Sequence, residues 1–158
     1  MALTKDNSTL AELLNELIKI NYGRIGGYNK AHEQMKDNKD LKAIFKERTR
    51  QSFNFILDLK DLVSNTLGDV MDNIPVPGKV FRTRIKNKNI FNANKNASLL
   101  DSCELEEEGA VEAYEEVLKS GAEIPSDIRE KIIEQQNEIK KSHDFIKKFR
   151  DFNLDLSS

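Results

Sequence analysis

A chain of 158 residues with 38% apolar and 33% charged side chains can bury a core without staples and is too apolar for general disorder. A formal charge of −2 excludes a partner recruited by the electrostatics of the whole molecule. The one cysteine, Cys103, excludes an internal disulfide and a cysteine-built zinc site.

The thiol count fits a reducing compartment. The start, MALTKDNSTL, has no continuous apolar h-region, and no apolar run approaches the roughly 18 residues of a membrane span. No membrane association and a cytoplasmic location are therefore expected.

Four stretches place apolar residues three and four apart, the pattern of amphipathic helices. The first covers about 10–35, with Leu10, Leu14, Leu17, Ile25 and Tyr28 on one stripe. Its start reads as a capping box, Thr9-Leu10-Ala11-Glu12. Gly23, Gly26 and Gly27 interrupt it at roughly 1 kcal/mol each against alanine. No strand precedes them, so close packing, for instance by the crossover, is expected rather than phosphate binding. The second stretch, about 41–67, carries Leu41, Phe45, Phe55, Leu59 and Leu62 and ends at Gly68. The third, about 97–119, aligns Leu100, Cys103, Val111, Tyr114 and Leu118 before the stop signal Ser120-Gly121. The fourth, about 127–152, follows Pro125 and an expected N-cap at Ser126, with Ile128, Ile132, Ile139, Ile146 and Phe149 inward.

The connections set the topology. Short turns between the first and second helices and between the third and fourth predict two antiparallel hairpins. Between the hairpins lies a link of about 68–96, containing Pro75, Pro77 and Gly78. A helix of about 26 residues is roughly 39 Å long. About 12 extended residues cover that distance, so the link can cross the bundle and make the second and third helices parallel. All 158 residues are expected to form one domain.

Polar residues interrupt each stripe: Asn21 with Arg24 and His32 to its side, Arg48 and Ser52, Glu107 with Glu104 at its edge, Gln135 and His143. At 100° per residue Glu107 points along the buried direction of the third helix, whereas Glu106, Glu108 and Glu112 diverge toward solvent. Counting from the turns puts Tyr28 and Arg48 at one height, roughly 12 Å from the end. If the crossover returns to that end, Glu107 and His143 join the same layer.

The segments LNELIKINYGRIGGYNKA, FKERTRQSFNFILDL, CELEEEGAVEAYEEVL and QQNEIKKSHDFIKKFRD together resemble an uncharacterised bacterial family, a domain of unknown function with ferritin-like members. The likeness covers nearly the whole chain and is strongest at Tyr28, Cys103-Glu104, Gly109-Ala110, Tyr114 and His143-Asp144. It implies an all-α, ferritin-like four-helix bundle of two antiparallel hairpins joined by a crossover, with no established activity. The family's company suggests stress or cell-envelope physiology.

The wider ferritin-like superfamily often holds two irons with a glutamate from each of two helices and Glu-x-x-His from each of the others. This sequence departs from that set. Glu16 points about 120° away from the first stripe. In Glu47-Arg48-Thr49-Arg50 an arginine stands where histidine would, and Lys140 lies three residues before His143, so no Glu-x-x-His exists.

Two function classes follow. In the favoured one, Arg48 neutralises buried Glu107, with Tyr28 or His143 hydrogen-bonded to it, and the bundle acts through protein contacts, with a partner or with itself. In the alternative, Glu104, Glu107 and His143 bind iron or manganese in a metal-binding protein or oxidoreductase. Otherwise no cofactor and no catalytic set is indicated: Cys103 reads as an inert core thiol and His32 as a structural, partly exposed histidine.

From Asn73 to Leu100 there are six bases and no acid, and from Asp101 to Glu116 eight acids and no base. In KVFRTRIKNKNIF, Arg82, Arg84, Lys86 and Lys88 alternate with Phe81, Thr83, Ile85 and Asn87. The favoured reading has Phe81, Ile85 and Phe91 anchoring the link while its cations stay hydrated or pair with the acidic third helix. The other is phosphate, nucleic acid or an acidic protein, disfavoured by the net charge and by the lack of a stacking platform.

Overall fold

The computed structural model describes residues 5–35, 38–67 and 95–157. The basic alternation at 79–91, and the crossover apart from its last two residues, lie outside them. The described residues form four helices and no strand: α1 (Lys5–Gln34), α2 (Lys39–Leu67), α3 (Lys95–Leu118) and α4 (Ser126–Ser157).

Local chemistry explains most of the ends. Asn38 caps α2: its Oδ1 accepts from the Leu41 N–H at 3.1 Å and its carbonyl from Lys42. α3 stops where the sequence predicts. Ser120 N–H bonds back to the Val117 carbonyl, tightening the last turn, and Gly121 turns away with φ of 80°, a conformation that costs a side-chain-bearing residue energy. Two start signals are displaced. α1 begins at Lys5, so the expected capping box lies inside the helix. At α4 the Pro125 carbonyl accepts from Arg129, which puts Pro125 rather than Ser126 in the capping position.

Cross-helix bonds fix the directions. Asn21, Arg24 and Gly27 of α1 meet Tyr114, Glu107 and Glu106 of α3, in descending order, so these helices are antiparallel. Gln136 and Arg129 of α4 reach the carbonyls of Val111 and Leu118 on α3, again antiparallel. Gln51 and Phe55 of α2 meet Ser142 and Gln135 of α4 in the same antiparallel sense. α2 and α3 are therefore parallel, so α2 ends at the opposite end of the bundle from where α3 begins. This is the arrangement that the unequal links predict.

Two apolar clusters fill the interior. The larger joins Leu14, Leu17, Ile18, Ile56, Leu59, Val63, Ala110, Ile132 and Ile139. The smaller, toward the α1–α2 turn, joins Tyr28, Met35, Leu41, Phe45, Leu100, Cys103 and Ile146. On α2 the stripe is rotated from the sequence reading: Ile56 and Val63 are fully buried, and Phe55 and Leu62 only partly. Gly27 confirms close packing, but its neighbour is α3, and Gly26 faces open space.

Leu59→Ala, at a site with no exposure, should lower unfolding free energy by about 2–5 kcal/mol in urea titration. Asp58→Ala, at an exposed site on the same helix, should change it by less than about 0.5 kcal/mol.

Candidate functional site

Between the two clusters lies a layer of buried polar side chains from all four helices. Arg24 and Glu107, both fully buried, form a two-pronged pair: Arg24 Nε donates to Oε1 at 2.7 Å and Nη2 to Oε2 at 2.9 Å. Both terminal nitrogens make further bonds, Nη1 to Asn21 Oδ1 at 3.0 Å and Nη2 to Gln51 Oε1 at 2.8 Å. Asn21 in turn donates to Tyr114 Oη at 2.8 Å, and Tyr114 donates to Gln135 Oε1 at 2.7 Å. Gln135 closes the chain on the Phe55 carbonyl. Burial by itself would disfavour the Arg24 cation, but the charge and hydrogen bonds of Glu107 outweigh it and raise the guanidinium pKa.

The sequence reading correctly placed Glu107 in the core but assigned it the wrong cation. Arg48 is only partly buried, its guanidinium 6.0 Å over the Phe145 ring and its Nε without a partner. Equal height does not set azimuth. α1 is the hairpin-crossing neighbour of α3, whereas α2 stands diagonal to it, so the counterion comes from α1. Ile25, expected on the stripe, is only partly buried while Ile18 and Asn21 are fully buried, so the inward direction of α1 lies toward Arg24. Tyr28 sits close enough for Glu107 to act on it: burial first, then that charge, raise its pKa well above 10. Its hydroxyl has no partner in hydrogen-bonding geometry.

Glu106 also departs from expectation. Rather than facing solvent, its carboxyl rests on the bare Cα of Gly27, where a Cβ would overlap it, and Oε2 is sealed and unpartnered. Burial, reinforced by the like charge of Glu107 and partly countered by Arg24 and Lys30, pushes its pKa up to about 8. It lines a cavity of about 200 Å3 with Lys30, Ala31, Leu99 and Cys103. The Cys103 thiol is pushed up by burial and by Glu106 and Glu107, as befits an inert core residue.

Of the three residues expected as alternative metal ligands, the fold brings two together. Glu104 Oε1 lies 3.5 Å from His143 Nε2, whereas Glu107 commits both oxygens to Arg24. The third carboxylate at His143 is Glu108, also at 3.5 Å. Arg150 pairs with Asp101 at 2.9 Å and with Glu104 Oε2, beside this group at the α3–α4 edge.

The parallel α2 and α3 with a polar layer at mid-core define a ferritin-like four-helix bundle, and a solved structure agrees. The chain is similar to one described as ferritin like, diiron-carboxylate proteins from Bacillus anthracis str. Ames, with a TM-score of 0.63, 17% identity, and coverage of 96% of this chain and 99% of that one. This chain belongs to the family described as Domain of unknown function (DUF2383), which matches residues 9–120. No curated protein matches it. The core layer does not fit two irons: its single carboxylate is saturated by a guanidinium, and its other members are amides and hydroxyls.

Two outcomes follow from this layer. Glu107→Gln or Arg24→Met alone should cost about 3–5 kcal/mol by leaving a buried charge unpaired, while Arg24→Met with Glu107→Met should cost much less, as a double-mutant denaturation cycle will show. For Glu106 the folded pKa near 8 lies above its ordinary 4.5, so its contribution to stability is complete below about pH 4.5 and is lost as pH rises to about 8. Glu106→Gln should remove that slope, its melting temperature gaining on wild type between pH 5 and 8.

Proposed function

We propose that this protein is a non-catalytic bundle acting through protein contacts in a bacterial cytoplasm, with a charged lock where ferritin-like relatives hold metal. The observation that carries the reading is the Arg24–Glu107 pair, which occupies the core layer with a cation that cannot be deprotonated. A bundle closed in this way offers its outer faces. On α2, Phe53 and Leu57 are 50% and 51% exposed one turn apart. Phe53 also lines a shallow groove with Ala43, Lys46, Glu47 and Arg50, where Glu47 supplies one sign of charge and Lys46 and Arg50 the other. That mixture of apolar and paired charged groups suits a protein surface, a second copy included, better than a polyanion. The one buried thiol and the bacterial structural neighbour support the setting.

Protein purified after iron or manganese supplementation should carry no pair of metals per chain, and light scattering should show an assembly that Phe53→Ser with Leu57→Ser dissociates without loss of helix. Two irons per chain, with bridged-iron absorbance lost in Glu107→Gln, would overturn the reading.

A further inference from the structure

We infer that the α3–α4 edge holds a single divalent transition-metal ion of the zinc type, bound by Glu104, Glu108 and His143. This goes beyond the reading of the core, because none of these residues belongs to the Arg24–Glu107 layer.

The site is built before any ion arrives. Glu104 and Glu108 stand one turn apart on the same face of α3, and one ligand atom from each lies with one from His143 in a set mutually within 4.8 Å. His143 Nε2 is 3.5 Å from both Glu104 Oε1 and Glu108 Oε1. A tetrahedral ion with arms of about 2.1 Å requires its ligand atoms to be about 3.4 Å apart, so these two spacings need almost no adjustment.

The imidazole is the second line of argument. Asp144 Oδ1 lies 3.1 Å from Nδ1, and because a carboxylate only accepts, Nδ1 carries the donated proton. That fixes the ring and leaves Nε2 as the ligating nitrogen, the carboxylate–histidine arrangement that supports metal sites. Nε2 is sealed from solvent and has no hydrogen-bond partner, although two carboxylate oxygens lie within ion-pair range. As a bare lone pair it faces two anions; as an N–H it aims at neither. A cation among the three atoms resolves both conditions.

The surroundings hold the ligands in place. Arg150 takes the other oxygen of Glu104, leaving Oε1 directed at His143, and it also binds Asp101. Its single positive charge is shared among Asp101, Glu104 and Asp151, and Glu108 makes no bond to it. Glu108 is half exposed, which gives the ion a route in and leaves its fourth position to water. Imidazole nitrogen with two carboxylate oxygens suits Zn2+ or Co2+ better than the softer copper(I) or the all-oxygen preference of Ca2+ and Mg2+.

The test uses the full chain stripped with chelator and titrated with Co2+ and then Zn2+. One equivalent of Co2+ should bind with visible bands of a four-coordinate ion, displaced by Zn2+. Glu108→Gln and His143→Ala should each weaken binding by more than about tenfold, and Asp144→Asn by about tenfold, while Glu130→Gln leaves it unchanged. Circular dichroism checks that each variant folds. Should His143→Ala unfold, nitrogen NMR of wild type decides instead: Zn2+ should shift Nε2 of His143 and not the ring of His32. Absence of saturable binding at equimolar metal, retention of binding in Glu108→Gln and His143→Ala, or an unmoved His143 resonance would overturn the assignment. The core reading fails separately, on two irons lost with Glu107→Gln.

Discussion

The bundle is organised around one buried ion pair. Arg24 and Glu107 lie wholly out of water, and a charge in that position is tolerated only with its partner and with further hydrogen bonds around it. Satisfying Arg24 takes Asn21 from its own helix, Gln51 from α2 and Glu107 from α3. Asn21 and Tyr114 then reach Gln135 on α4. The apolar clusters on either side tolerate small slides, since hydrophobic contact has no direction. The polar layer does not: moving α1 or α3 by a turn strands a charge, and moving α2 or α4 breaks the bonds of Gln51 or Gln135, so the layer sets the register that the hydrophobic stripes leave loose.

The same pair shapes its neighbours. Burial first, and then the negative charge fixed at Glu107, hold the carboxyl of Glu106 toward its neutral form where it lies against Gly27. Tyr28 is likewise held as a phenol. Among the described residues, Arg24 and Glu107 are the fully buried charge pair, and the polar groups hydrogen-bonded to it are neutral. Glu104 and Glu108 meet His143 at the α3–α4 edge, where Glu108 is half exposed.

That division separates likeness of fold from likeness of chemistry. The resemblance to a diiron-carboxylate structure at 17% identity extends along nearly all of both chains, because bundle topology follows from helix lengths, loop lengths and apolar stripes. What sits in the middle layer depends on a few positions. Here that layer holds a guanidinium paired with one carboxylate, together with amides and a hydroxyl.

The sequence alone determined the four helices, the two hairpins, the parallel second and third helices and the burial of Glu107, because periodicity and link length act through spacing along the chain. It also determined where α3 ends, since Gly121 supplies a conformation that other residues adopt only at a cost. Only the tertiary structure decided which cation meets Glu107, that Glu106 turns inward against Gly27, and that Glu108 rather than Glu107 faces His143. Each depends on the rotation of one helix about its axis relative to another. A helical wheel fixes that angle only to within the width of an apolar stripe, whereas a salt bridge, a glycine contact or a three-atom cluster requires it to within a fraction of one residue.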